Sequence, residues 1–241
     1  MASSMKFREL VPDRQVGETC WLNEKNTYLS FHADLKDFQV LPGDVESNAI
    51  QRDQTFVTAY SRIVGKNASL SFIVYGENED RLEQNISYLI SEAKECTIKR
   101  ESAKMLYRAL LTNCSVESTG IDFLREVTFL FLVSQHLPKE THVFTGSKKI
   151  WADGTAKADC IITIVPKSDL ASFSILGITA QNLKAGVPFI IDGISRKVSA
   201  NGINRWGDTN LVDFPSLSPG FQQITSSADA KVTIEYYPTF V

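Results

Sequence analysis

The last quarter of the chain, Val187 to Val241, permits few folds. Phe189-Ile190-Ile191, then Asp192-Gly193, then Ile194 to Val198 is a β-hairpin signal. Asp-Gly supplies the two positive-φ positions of a type I′ turn, whose twist matches that of the flanking strands. Asn201-Gly202 is a second turn signal of the same kind, and Pro219-Gly220 fits the centre of a type II turn. The closing run Lys231-Val232-Thr233-Ile234-Glu235-Tyr236-Tyr237 alternates apolar and polar residues over most of its length. That alternation predicts a half-buried antiparallel strand over Ala230 to Tyr237.

Upstream, the strand signals continue. Lys149 to Ala152, Ala158 to Val165, Ala171 to Leu176 and Val187 to Ile191 read as short strands separated by Asp153-Gly154, Pro166 to Asp169 and Lys184-Ala185-Gly186. Many short strands with turns between them predict a sandwich or barrel. The polar, Pro-containing stretch Ser134 to Thr145 reads as a boundary. It divides the chain into an N-terminal domain, 1–138, and an all-β domain, 139–241.

The N-terminal half mixes strands with one helix. Leu82, Ile86, Leu89, Ile90 and Ala93 form a single apolar stripe, which predicts a helix over about 79–94 that packs on a sheet. Asp80 with Glu83 resembles a capping box, and Asn78 is the alternative cap. Strands are expected at Lys6 to Val11, Cys20 to Leu22, Tyr28 to Phe31, Cys96 to Arg100, Met105 to Leu111, Cys114 to Glu117 and Arg125 to Val133. Thr55 to Val64 and Ser69 to Tyr75 read as a hairpin joined by Gly65-Lys66-Asn67. Arg125 to Val133 has apolar residues on both faces, as a strand covered on both sides would. The class of this half is therefore α+β, antiparallel sheet with one helix. The polar stretch Lys36 to Gln54 reads either as a long surface loop or as an arm reaching onto a neighbouring subunit, because loops of that length usually carry function or are disordered.

The 241 residues carry 25 Lys+Arg against 28 Asp+Glu, a net charge of −3. That balance, with no basic stripe, argues against a specific nucleic-acid binder. Met1 to Leu10 has no apolar core segment, and the longest apolar run, Val127 to Val133, is far short of the ~20 residues of a membrane span. No membrane association is expected, and the chain is expected to be made and folded in the cytoplasm. There Cys20, Cys96, Cys114 and Cys160 would be free thiols, mostly buried.

Catalytic motifs are missing: no G-x-S-x-G, no phosphate-binding glycine loop, no H-E-x-x-H. His32, His136 and His142 fall in or beside predicted loops and the boundary, without the spacing of a zinc site. No enzyme activity, cofactor or metal is expected. Asp208 and Asp213 flank a loop that holds Trp206. An exposed Trp beside acids is able to stack on a sugar, so these residues are candidates for glycan contact. The bland alternative is turn capping by Asp around a core-edge Trp.

Three segments, "IDGISRKVSANGIN", "DFPSLSPGFQQI" and "KVTIEYYPTF", carry a resemblance. Their order resembles the C-terminal domain of the distal tail proteins of long-tailed phages and phage-tail-like particles. Those proteins end in a hairpin with a charged tip, an "FP.L.PG.N.I" corner and a last strand with an aromatic-Pro tail. Gln222 or Gln223 stands where an Asn is often found. The strand, helix, strand order of the N-terminal half resembles the family more loosely. The resemblance implies a hexameric ring at the tip of the tail tube, built by the N-terminal domains, with galectin-like sandwich domains pointing outward. It implies as partners the tail tube protein, the tail-associated hub or lysin protein, and a receptor-binding protein. It places the protein in the virion tail tip of a siphophage, prophage or bacteriocin, assembled in the host cytoplasm. Genome DNA would pass through the ring, and mild acidity suits such a channel. Within the arm, Lys36, Phe38, Val40, Leu41, Ile50 and Arg52 are the candidates for subunit contact. The rival function is a carbohydrate-binding module for a host surface glycan, acting through Trp206, Asp208 and Asp213.

Overall fold

The computed structural model describes residues 15–43, 45–52, 55–63 and 65–241, with the backbone alone described over 45–52 and 55–63. The expected strand at Lys6 to Val11 lies outside the described residues. The chain divides into two compact units, one ending at Gln135, which also takes in Val241, and one spanning His136–Phe240. The described residues are mostly antiparallel sheet, with α-helices at Thr27–Phe31 and Glu79–Ala93.

In the first unit, β1 (Cys20–Leu22), β2 (Lys25–Asn26), β3 (Ala33–Leu41), β6 (Lys66–Tyr75), β7 (Glu95–Arg100), β8 (Leu106–Ser118) and β9 (Leu124–His136) form one sheet in the order β2-β1-β7-β8-β9-β6-β3. Alternation decides its faces. Ala68, Leu70, Phe72 and Val74 of β6 and Val127, Phe129, Phe131 and Val133 of β9 are all buried. In register, Leu70 faces Phe129 and Phe72 faces Val127, so the two rows close on each other. The long helix lays Leu82, Ile86, Leu89 and Ala93 into the same cluster. Fully burying a Leu such as Leu89 stabilises by about 1.5–3 kcal/mol. Its cap is Asn78, whose Oδ1 accepts from Arg81 N at 2.9 Å; the alternative at Asp80 is not the one used. Among the described residues nothing covers the other face of β9, against expectation: Leu130 and Leu132 are 44% and 41% exposed. The helix supplies one layer only, and those leucines stand on the opposite side.

Three expectations in this half need correction. Tyr28 to Phe31 is a helical turn, not a strand. Asn26 caps it by accepting from Leu29 N at 2.9 Å, and His32 ends it in the left-handed region at φ 49°. A single turn has no room to display helical periodicity, so its apolar residues imitate a strand. Met105 to Leu111 and Cys114 to Glu117 are one continuous strand, β8. Thr55 to Val64 does not pair with Ser69 to Tyr75. Instead β5 (Thr55–Ile63) pairs with β4 (Val45–Arg52), and β6 pairs with β3.

β3 with β6 and β4 with β5 are thus two antiparallel pairs. Leu41 pairs with Asn67, and Val45 pairs with Ile63. Both sums of residue numbers are 108, so the two pairs share one register, which shifts at a bulge between Asn48 and Ala49. Among the described residues β4 and β5 pair only with each other. At roughly 3.3 Å per residue, β4 is some 26 Å long.

In the second unit, β10 (Glu140–Thr145), β12 (Ala158–Pro166), β15 (Phe189–Asp192), β16 (Lys197–Ala200), β17 (Ile203–Asn204) and β20 (Ala230–Tyr236) form a sheet in the order β10-β20-β12-β15-β16-β17. β18 (Ser216–Leu217) pairs on β12. The central strand β12 buries Cys160, Ile162 and Ile164, with Ile162 opposite Ile234 on one side and Ile191 on the other. Two ribbons add to the core: β11 (Ser147–Ala152) with β19 (Gly220–Thr225), and β13 (Leu170–Ile175) with β14 (Ile178–Leu183). They contribute Ile150, Ile224, Phe173, Ile175 and Ile178. β10 lies within the stretch expected to be a boundary. Its half-buried alternation is too polar to read as a strand until Tyr236 and Ile234 are seen beside it.

The Asp192-Gly193 turn also differs from expectation. β15 and β16 pair up to Asp192 opposite Lys197, so the loop holds 193–196 rather than two residues. Asp192 Oδ1 accepts from Ile194 N and Ser195 N, both at 2.9 Å, and Arg196 takes the left-handed position at φ 57°. Gly193 is needed for proximity, not for a positive φ. A Cβ there would stand 2.7 Å from both Cys160 O and Pro215 O. Asn201 and Gly202, by contrast, have φ of 49° and 75°, as a type I′ turn requires. We expect Gly193→Ala to destabilise the protein by roughly 1–3 kcal/mol, the usual cost of overpacking against a backbone that has to move. Urea unfolding checks this, read as a lower midpoint at unchanged slope.

Candidate functional site

β3 and β4 carry the residues expected at a subunit contact. Lys36 lies exposed on β3 and is ion-paired with Glu126 at 2.7 Å. Phe38 and Val40 are half-buried against the core of the first unit. The Phe38 ring sits 5.1 Å from that of Tyr107, with the Arg100 guanidinium 4.2 Å over it. Leu41 is exposed. Ile50 and Arg52 lie on β4, in register with Val57 and Thr55. β3 is the end strand of its sheet, bridged near its start by Glu18 opposite Leu35. There Asp34 accepts from Val16 N and Gly17 N at 3.0 Å.

Sequence reasoning missed two exposed apolar features. One is the open face of the first sheet, where Leu110 is exposed along with Leu130 and Leu132. The other is a cross-strand pair on the β11–β19 ribbon, Trp151 opposite Phe221, with ring centroids 4.6 Å apart. The exposed partners alternate with buried Ile150 and Ile224. Period-two alternation locates such residues but does not say that their side of the ribbon stays uncovered.

Trp206, Asp208 and Asp213 lie in the second unit. Trp206 opens a short 3-10 turn, Trp206–Asp208, and is 42% exposed. Asn204 Oδ1 accepts from Trp206 N at 3.0 Å and Thr209 Oγ1 donates to Trp206 O at 2.9 Å, which fixes the turn. The indole leans on Phe214, centroids 5.3 Å apart. Asp208 is occupied: it pairs with Arg205 at 2.5 Å and accepts from Asn182 Nδ2 at 3.1 Å. The bond from Asn182 leads in holding its carboxyl below the usual range, helped by Arg205. Asp213 is exposed. Beside Trp206 is a cleft of about 460 Å³, whose lining also includes Arg196, Lys197, Ser199 and Asn204.

The histidines are not arranged as ligands. His136 is buried at the end of β9, edge-on to Tyr237 with centroids 5.1 Å apart, and not in a flexible linker. His142 stacks on Tyr236 at 5.9 Å, and Tyr236 OH donates to Glu140 Oε2 at 2.7 Å. Among the described residues, no group of His, Cys, Asp and Glu is placed to hold a metal ion. The cysteines are free. Burial pushes the thiols of Cys20, Cys96 and Cys160 up to about 12, which makes them inert.

This arrangement is that of a two-unit, antiparallel-β protein, and it has counterparts among solved structures. The SPP1 Dit protein, described as a paradigm of the hub adsorption apparatus in phages that infect Gram-positive bacteria, matches with a TM-score of 0.72 at 13% identity, over 92% of this chain and 99% of that one. A chain of the phage P2 baseplate in its activated conformation with calcium matches at 0.54 and 11% identity, over 88% of this chain and 93% of that one. The strontium form of the same baseplate matches at 0.53. No family model and no curated protein sequence matches the chain. The chain has the distal-tail fold.

His142 gives this unit a pH dependence. Burial, reinforced by Lys148 and opposed by Glu140, holds its pKa below the ordinary histidine value. The folded state therefore resists the proton that the unfolded chain accepts near pH ~6.5, so stability falls as the pH drops through that value. His142→Phe keeps a ring stacked on Tyr236 and removes the titration. The loss of Tm between neutral pH and about pH 5.5 should be smaller in the variant, by differential scanning fluorimetry.

Proposed function

We propose that this protein is a distal tail protein. Six copies close into a ring that joins the tail tube to the tail tip of a long-tailed phage, a prophage or a phage-tail-like particle. The observation that carries this is the match to SPP1 Dit, which runs through both units and nearly the whole of both chains at TM-score 0.72. The first unit builds the ring and continues the tube. The second, a galectin-like sandwich, points outward. On this reading the tail tube protein docks on one side and the tail-associated hub or lysin protein on the other. The outward units recruit receptor-binding components, and genome DNA passes through the centre. The protein works by assembly, without chemistry, and is a part of the virion put together in the host cytoplasm.

Physical features of the chain support the reading. A ring needs a heterologous contact whose rotation closes. The β4–β5 ribbon continues the register of β3 and β6 and pairs with nothing else described, which suits an arm laid over the next subunit. Leu110, Leu130 and Leu132 form an apolar face of the kind that marks an interaction surface. Of the six arm residues, Leu41 and Lys36 are exposed, which suits contact with a neighbour, whereas Phe38 and Val40 pack on the core of their own unit.

Negative-stain images of the purified protein should contain hollow rings. A preparation that stays single-chain at high concentration, with its tail tube protein added, overturns the proposal. Replacing 45–63 by a short Gly-Ser link should leave a folded single chain by circular dichroism and light scattering. Rings that persist on a sizing column in that variant refute the arm.

A further inference from the structure

The cleft beside Trp206 is built by the second unit alone. Its walls come from the β15–β16 loop, from β16 and β17, and from the 3-10 turn. At about 460 Å³ it lies in the size range of small-ligand sites. The charged groups that line it are Arg196 and Lys197; no carboxylate does. The nearby acids have partners, and one of them is the lining Arg196. Asp159 pairs with Arg196 at 3.0 Å, Asp192 holds the loop through Ser195, and Asp208 is taken by Arg205 and Asn182.

The lining is also rigid. Arg196 is held between Asp159 and the Phe214 ring, its guanidinium 5.2 Å from the ring centre. Phe214 in turn supports the Trp206 indole. Asn204 spends its Oδ1 on Trp206 N, which leaves its amide N–H groups as donors. Ser199, opposite Asn204 in register, adds a hydroxyl. One aromatic wall, short hydrogen-bonding side chains, the cation Lys197 and the Asp159-paired Arg196 match a sugar ring that carries an anionic group. The apolar face of the ring would lie on Trp206, its hydroxyls would meet Ser199 and Asn204, and its anion would face Lys197 and Arg196. A nucleotide fits less well. Only one aromatic ring lines the cleft, so a flat base finds no slot, and the chain as a whole carries a net charge of −3.

We propose that the Trp206 cleft is a binding site for a phosphate-bearing saccharide, whether a free sugar phosphate or a unit of a phosphorylated surface glycan. The site is complete within the second unit and does not depend on the ring.

Isothermal titration with glucose 1-phosphate tests it, with glucose, inorganic phosphate and AMP as comparisons. We expect saturable binding of glucose 1-phosphate, weaker binding of glucose and of phosphate alone, and weakening with added salt. Trp206→Ala and Lys197→Ala should each weaken it by about tenfold or more. Lys197 is exposed on its strand, so its variant reports on binding even if Trp206→Ala disturbs the turn. Purified phosphorylated glycan that competes with glucose 1-phosphate assigns the site to the surface polymer; failure to compete assigns it to the free sugar. Three results overturn the proposal: no saturable binding, phosphate binding as well as the sugar phosphate, or AMP binding more tightly than it. The same holds if neither variant alters the titration. None of these results bears on whether rings form.

Discussion

Backbone hydrogen bonds at sheet edges govern this molecule. Every strand has to satisfy its N–H and C=O groups on both sides, and a sheet that does not close leaves two rows of them exposed. Here the first unit ends its sheet on β2 and β3, the second on β10 and β17, and three ribbons of paired strands have edges of their own. Some edges are blunted. β2 and β17 are two residues long, and the start of β3 is bridged by Glu18 and fastened by Asp34. The β3 edge beyond Leu35 and the whole β4–β5 ribbon have no such protection among the described residues. A monomer with these edges would invite uncontrolled pairing. A closed assembly uses the same groups as joints.

The division of labour within the units follows from packing. In the first, one helix covers one face of the sheet, because Leu82, Ile86, Leu89 and Ala93 make a single stripe. The opposite face, with Leu110, Leu130 and Leu132, stays exposed among the described residues. In the second, β12 is hydrogen-bonded on both sides by β20 and β15, and the ribbons complete the core around it. Rigidity at that centre is what allows short loops at the periphery to hold fixed shapes. The loop 193–196 is a case: Gly193 N donates to Cys160 O at 3.0 Å, and Cys160 N donates to Pro215 O at 3.0 Å. The loop is riveted to the central strand, and Arg196 is presented from it at a defined place.

What was readable from the sequence was whatever depends on neighbours in the chain. The long helix, with its stripe, was readable, as was the alternation of β20, because both are periodic over many residues, whereas the helix cap is Asn78, read only as the alternative to Asp80. Errors came where a distant partner decides. Thr27–Phe31 is helical because Asn26 and His32 cap a single turn that β1 and β3 hold in place, which no local pattern announces. The pairing of β5 with β4 rather than β6 is a matter of register between segments that all have β character. Asp192-Gly193 has the composition of a two-residue turn, yet the nearness of Cys160 and Pro215 makes it the start of a longer loop.

The candidate site illustrates the same limit in chemical terms. Trp206 stands out in sequence beside Asp208 and Asp213, and that proximity suggests an acidic setting. In three dimensions Asp208 is neutralised by Arg205, which the turn brings to it at i and i+3, and it accepts a hydrogen bond from Asn182 on β14. The side chains that share the cleft with the indole come from the preceding hairpin. The β16–β17 turn at Asn201-Gly202 folds Lys197 and Arg196 back to it. Arg196-Lys197 has nothing to distinguish it as a dipeptide at a hairpin tip. Its meaning depends on a register, Ser199 opposite Asn204, that sets a cationic strand beside an aromatic turn. Charge read along a β chain therefore misleads about the sign of a site. The strand-to-strand register decides which charges meet, and the acids nearest in sequence are the ones most easily spent on the turn that carries the aromatic.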